Sequence, residues 1–213
     1  MKPGDERRLI MTVKLAVIYY SSTGTNYQLA QWARAAGEEV GAEVRVLKVH
    51  ELAPREAIDT NPLWKRHATE TRDVPEANLS DLEWADAVIF SAPSRYGQMP
   101  SQLKQFLDTT GGLWSQGKLA NKVVSAMSSG ESVHGGQETT ILSIYSTVHT
   151  WGGIVAAPGL HHPALAAVGN PYGVSVTVSE SNSFAPEVEE AVKHQAKRTV
   201  LLAKGIQQAL KEM

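Results

Sequence analysis

The chain contains no cysteine. Disulfides, thiolate nucleophiles and zinc–thiolate centres are therefore excluded. It also lacks any apolar run near the roughly 20 residues that span a bilayer. Its opening segment, MKPGDERRLIMT, lacks the apolar centre of a signal peptide. A basic excess is missing as well: the formal net charge is −2, and Arg7-Arg8 and Lys65-Arg66 are isolated pairs. A protein that held nucleic acid by neutralising phosphates would carry a basic stripe. His134 and the pair His161-His162 have no companion at metal-ligand spacing, such as H-x-x-x-H or H-E-x-x-H, so no metal is expected. These absences leave a cytoplasmic protein without nucleic-acid partner or membrane insertion as the expectation.

What is present is the composition of a globular protein: 213 residues, 42% hydrophobic and 20% charged. Residues 1–12 read as a short charged extension, and residues 13–213 as one domain. Short apolar runs bounded by turn residues predict buried strands at 14–20, 43–49, 86–93, 122–127 and 153–158, with a further short strand possible at 174–178. Helical spacing of apolar residues predicts helices at 26–40, 101–108, 137–148 and 186–210, the last opened by Pro186. Between about 50 and 80 the chain is rich in Pro, Asn and charge. It reads as an irregular insertion with one short helix, in which Trp64 is a packing or interface residue. Strands alternating with helices imply an open, mostly parallel sheet covered on both faces.

In such sheets a ligand lies beyond the carboxyl ends of the strands. Here the ends of three predicted strands lead into loops of small, polar and glycine residues: SSTGTN at 21–26, APSRYGQMP at 92–100 and SSGESVHGGQ at 128–137. The first runs from a strand into a helix, so its N–H groups converge where the helix dipole favours an anion. The hydroxyls of Ser21, Ser22, Thr23 and Thr25 and the amide of Asn26 add donors, and Gly24 permits close approach or a positive φ. The loop has neither the lysine of a triphosphate loop nor the glycine spacing of a dinucleotide loop. That points to a phosphate monoester. In the second loop Tyr96 can lie against a flat ring, with the peptides of Arg95 and Gly97 near its heteroatoms. The third loop lets main chain approach the far edge of the same ring.

The three segments together resemble the flavodoxin superfamily, and most closely its WrbA family. The resemblance rests on Pro93-Ser94-Arg95-Tyr96-Gly97-Gln98-Met99 and on the run Phe106 to Trp114, FLDTTGGLW, with GGQETT at 135–140 and NPYG at 170–173 as further landmarks. It covers about residues 13–210. It implies a flavodoxin-like, doubly wound, five-stranded parallel sheet with helices on both faces. It also implies an FMN-dependent NAD(P)H:quinone oxidoreductase assembled as a homotetramer. Ser21, Ser22, Thr23, Gly24, Thr25 and Asn26 would then cradle the FMN phosphate. Pro93, Ser94, Arg95, Tyr96 and Gly97 would flank the flavin, and Ser128, Ser129, Gly130, Glu131, Ser132, His134 and Gly135 would wrap its other side. Trp114 and Thr23 would border the substrate pocket, which neighbouring subunits complete, and Thr150 or His149 would stand near the flavin.

No side chain is expected to act as an obligatory acid or base, because the cofactor carries the chemistry. Two alternatives stand beside this reading. One is a flavodoxin-like electron carrier, against which the modest net charge and the Trp114 segment argue. The other is a non-enzymatic regulatory or scaffold protein.

Overall fold

The computed structural model describes residues 12–178 and 183–212; most of the expected N-terminal extension lies outside the described residues. The sheet begins with β1 (Lys14–Tyr19) and β2 (Glu43–Lys48), joined by α1 (Thr25–Glu39). The segment between β2 and β3 (Ala87–Pro93) folds into α2 (Arg55–Asp59), α3 (Pro62–Glu70) and α4 (Leu79–Trp84). There follow α5 (Ser101–Asp108), α6 (Gly111–Ser115), β4 (Val123–Gly130) and α7 (Gln137–Trp151). The chain closes with β5 (Ile154–Val155), α8 (Pro163–Val168), β6 (Ser175–Thr177) and α9 (Pro186–Lys211).

The strands pair in the order β2-β1-β3-β4-β5, all parallel, with β6 also on β4. Every residue of β3 is buried, as are those of β1 after Lys14 and those of β4 before Gly130. Such runs of Val, Ile, Ala and Phe suit central parallel strands covered on both faces. One face packs against α1, α8 and α9 through Leu29, Ala33, Leu165, Val192 and Ala196. The other packs against α4, α5 and α7 through Leu82, Leu103, Ile141 and Ile144. Each such side chain, fully buried, stabilises the fold by about 1.5–3 kcal/mol before chain entropy is set against it. The doubly wound sheet of the sequence reading is thus observed. Among the described residues no helix is long and apolar enough to cross a membrane.

The fifth position of the sheet is occupied twice. β5 pairs with Val123 and Val124, and β6 pairs with Ser128 to Gly130. The interval between them is bridged by side chains. The Tyr145 hydroxyl accepts from Ala126 N (3.1 Å) and donates to Tyr172 O (2.7 Å). Gln195 Nε2 donates to Ala126 O (2.9 Å) while its Oε1 accepts from Val174 N (2.8 Å). The backbone groups of a buried strand are thereby satisfied where no neighbouring strand reaches them. Gly173 is required beside this gap, since a Cβ there would fall 2.0 Å from Ala126 O.

The insertion is more ordered than its composition suggested. In α3, Asn61 Oδ1 accepts from Leu63 N (3.0 Å) and Trp64 N (3.2 Å), and Pro62 fills the first turn. α4 begins with a reciprocal cap between Asn78 and Asp81. Arg45 links the segment to the sheet by its ion pair with Asp81 (2.9 Å) and its stacking over Trp84 (3.9 Å).

Candidate functional site

β1, β3 and β4 end side by side, and their following loops meet over those ends. β1 passes into α1 through Gly24, whose φ of 102° lies in the left-handed region open to glycine. Ser21 Oγ accepts from Gly24 N (3.0 Å) and closes this turn. No side chain caps α1, and no acidic residue stands in its first turn. The positive end of a 15-residue helix thus carries neither a side-chain cap nor an acidic neighbour in its first turn. Asn26 faces inward instead. Its Nδ2 donates to Ser129 Oγ (2.7 Å), and its Oδ1 and O accept from Ser91 Oγ (3.2 and 3.1 Å). One amide side chain therefore ties the first loop to the ends of β3 and β4.

The second loop is a two-residue hairpin turn. Arg95 N donates to Gln98 O (2.9 Å) and Gln98 N to Arg95 O (3.1 Å), with φ of 54° at Tyr96 and 76° at Gly97. Two consecutive positive φ values define a type I′ turn. For a tyrosine that conformation costs about 1–2 kcal/mol, and its ring is left wholly exposed. Ser94 Oγ donates to Gly135 O (2.7 Å) and accepts from Gly97 N (3.2 Å). Arg95 reaches across to the first loop, Nη2 to Ser22 Oγ (3.4 Å).

The third loop ends at Gly136, the uncapped start of α7, with φ 82°. A Cβ on Gly136 would lie 2.6 Å from Gly97 Cα, so the second and third loops meet backbone to backbone. Within the loop, Gln137 Nε2 and Gly135 N both donate to Ser132 O (2.8 and 3.0 Å).

Together the loops wall a cavity of about 540 Å³. Of the residues singled out from sequence, Ser21, Ser22, Thr23, Thr25, Asn26, Pro93, Ser94, Arg95, Tyr96, Ser129, Gly130, Glu131, Ser132 and Gly135 line it. Gly24 and Gly97 shape its turns rather than its wall, Ser128 is buried inside β4, and His134 is exposed off the wall. Trp114 and Thr150 lie elsewhere, in a depression between α6 and α7, where Trp114 Nε1 donates to Thr150 O (2.9 Å). That depression shares no lining residue with the large cavity. His149 is exposed in the last turn of α7.

Three wall residues escaped the sequence reading: Asn61 and Trp64 from α3, and Val178 after β6. The Asn-Pro start of α3 was a legible cap, but its position over the first loop follows from the tertiary fold. Trp64, read as a packing residue, is half-buried on the cavity wall. Among the described residues no group of three or more His, Asp or Glu side chains is placed to hold a metal. The wall combines one arginine and one glutamate with many neutral donors. It offers an anion seat at α1 and an adjoining slot between main-chain loops.

Comparison with known proteins agrees with this geometry. The sequence pattern of the family described as NADPH-dependent FMN reductase matches residues 13–159. A relative from Deinococcus radiodurans, named NAD(P)H dehydrogenase (quinone), is 49% identical over 191 residues, covering 89% of this chain and 95% of its own. A protein of the same name from Geotalea uraniireducens is 34% identical over 203 residues, covering 90% of this chain and 98% of its own. Among solved structures, the flavodoxin, WrbA-like protein from Agrobacterium tumefaciens superposes with a TM-score of 0.62 at 17% identity, over 91% of this chain and 99% of that one. That likeness establishes a flavodoxin-like fold. With the matched pattern and the two long alignments beside it, the chain belongs to the NADPH-dependent FMN reductase family, in the company of the NAD(P)H dehydrogenases (quinone).

Proposed function

We propose that the protein is an FMN-dependent NAD(P)H:quinone oxidoreductase. The observation that carries this reading is the uncapped N-terminus of α1 at the end of a cavity walled by the loops after β1, β3 and β4. A single phosphate fits there without a basic residue on the first loop, because helix N–H groups and hydroxyls supply the donors. Ser21, Ser22, Thr23 and Thr25 hold the phosphate of FMN, and Asn26 fixes the loop that carries them. Ser94, Arg95 and Tyr96 flank one edge of the ring, and Ser129 to Gly135 the other.

Held there, FMN would supply two-electron hydride chemistry between NAD(P)H and a quinone, the quinone gaining two electrons and two protons, the second proton from solvent. No side chain is assigned as an acid or base. The protein orients the rings, keeps water out and fixes the hydrogen bonds around the cofactor. Trp114 and Thr150 stand apart from the cavity of their own chain, so on this reading a neighbouring copy brings them to it within a homotetramer. Residues 13–213 act as one domain with an insertion at about 50–80, in the cytoplasm.

The purified protein is then yellow, and it oxidises NADH or NADPH only when benzoquinone is supplied. FMN-saturated protein without quinone-dependent turnover would sink the reading. Strictly one-electron exchange would assign it to an electron carrier.

A further inference from the structure

Beside the large cavity lies a smaller one of about 190 Å³, and Ser21 and Trp64 line both. Its walls come from the end of β1 and from α3, through Tyr19, His67 and Ala68. Its charged neighbours are engaged within the fold. Lys48 Nζ donates to Thr71 O (2.7 Å) and Arg72 O (3.1 Å). Glu51 accepts from the Tyr20 hydroxyl (3.0 Å) and from Gln102 Nε2 (2.7 Å). Glu76 faces His50 (3.1 Å).

Two neutral groups are only partly engaged. The Tyr19 hydroxyl is fully buried, and its one hydrogen-bonding neighbour among the described residues is the Thr71 hydroxyl, a weak partner that itself donates to His67 O (2.7 Å). The ring of His67, also buried, lies tilted at 54° against that of Tyr27 (5.5 Å between centroids). Burial holds this imidazole below its usual pKa, assisted by Lys48 and Arg66 and opposed by Glu70, which keeps it neutral near pH 7. A neutral imidazole offers one donor and one acceptor, and a phenol offers both. Leaving such groups unpaired in the interior is unfavourable.

We propose that this cavity is a second, ring-binding subsite that takes an uncharged single-ring phenol or quinone. The proposal rests on the reading above that the protein reduces quinones. An apolar cavity of about 150 Å³ accepts benzene, so the observed volume suits one six-membered ring with its oxygen substituents and not a fused pair. Charged ligands are disfavoured because the surrounding ions already have partners. Tyr19 and His67 pair with the ring oxygens, and Trp64 and Ser21 separate this ring from the occupant of the large cavity.

The test uses FMN-loaded protein with hydroquinone and with 1,4-benzoquinone, by crystal soaking and by calorimetric titration. Density for a single ring between Tyr19 and His67 is expected. Ala68→Leu, which fills the cavity, weakens hydroquinone binding at least tenfold. Tyr19→Phe weakens it several-fold yet melts within about a degree of the parent, because it removes a buried hydroxyl that has only a weak partner. Only water in the cavity of both soaks, or unchanged binding in Ala68→Leu, overturns the subsite. Quinone-dependent NAD(P)H oxidation measured on the same samples separates the two ideas. Turnover without a bound ring rejects the subsite alone. A bound ring without turnover supports the subsite and rejects the reductase reading.

Discussion

Replacing Asn26 by alanine tests whether the loops over the strand ends are held as one unit. The substitution removes the bond from Asn26 Nδ2 to Ser129 Oγ and the one from Ser91 Oγ to Asn26 Oδ1, and leaves the main-chain acceptor. Each neutral bond contributes about 0.5–1.5 kcal/mol, and a buried hydroxyl left unpaired adds about 1–3 kcal/mol. Asn26, Ser91 and Ser129 are all buried, so solvent does not replace the lost partners. The sum is about 4 kcal/mol. For a chain of this length each kcal/mol lowers the melting temperature by about 2–4 °C, giving a fall of roughly 8–16 °C. The first loop is then no longer tied to the third, and FMN affinity drops at least about tenfold, or 1.4 kcal/mol. Circular-dichroism melting of the flavin-free protein and fluorescence titration with FMN measure the two effects. Asn26→Asp separates them: it keeps an acceptor for Ser91 and so loses less stability. It also places a negative charge at the anion seat and so loses more FMN affinity. An alanine variant that melts within a degree of the parent and binds FMN equally well would refute the tie.

Gly136→Ala forces a side chain into φ 82° and to within 2.6 Å of Gly97 Cα. It is expected to cost about 1–2 kcal/mol in backbone strain alone and to release flavin on gel filtration, because the Arg95–Gln98 turn must move. Trp114→Ala removes an exposed indole outside the large cavity of its own chain. It should lower benzoquinone turnover and the apparent oligomer size while flavin retention by the separated chain stays near that of the parent. His67 is buried and its pKa is lowered, so on acidification through about 6.5 the unfolded chain takes up a proton before the folded one does. Stability therefore falls as pH drops below that value, and His194, lowered by burial and by His162, His161 and Arg198, acts in the same sense. In His67→Leu the difference in melting temperature between pH 7.5 and 5.5 should shrink; an unchanged difference would show that His67 is not held neutral.

The large cavity was readable because its walls follow directly from strand ends. A buried apolar run followed by small polar residues places those residues at the carboxyl edge of a parallel sheet. The loops after Tyr19, Pro93 and Gly130 obey that rule. The short helices α2, α3, α6 and α8 were not readable from periodicity, because five to nine residues hold too few turns to display it. Their signals are caps: Asn61 before Pro62, and His162 before Pro163, where His162 Nδ1 accepts from Ala164 N (3.3 Å). Position in space was the harder matter. Trp64 reaches the cavity because the insertion folds back over β1, and Trp114 does not because α6 packs toward α7. Neither outcome has a local signature. The double occupancy of the fifth sheet position was equally hidden, since β5 and β6 are separated by a helix and share only their partner strand.

That divided strand has a consequence for how the rim of the cavity moves. An uninterrupted fifth strand would bind its outer end to its inner end by continuous backbone, and the edge would open only with the sheet. Here the outer piece is three residues long, and Val178, on the cavity wall, hangs from it by the bond from its N–H to Gly130 O (2.8 Å). The inner piece is secured separately, by Ile154 N to Lys122 O and Ala156 N to Val124 O. Amide exchange is therefore expected to be faster at Val178 than at Ile154 and Ala156, a difference that hydrogen-exchange measurements would read. The edge beside Gly130 is then the part of the rim that opens at the least cost to β1, β3 and β4.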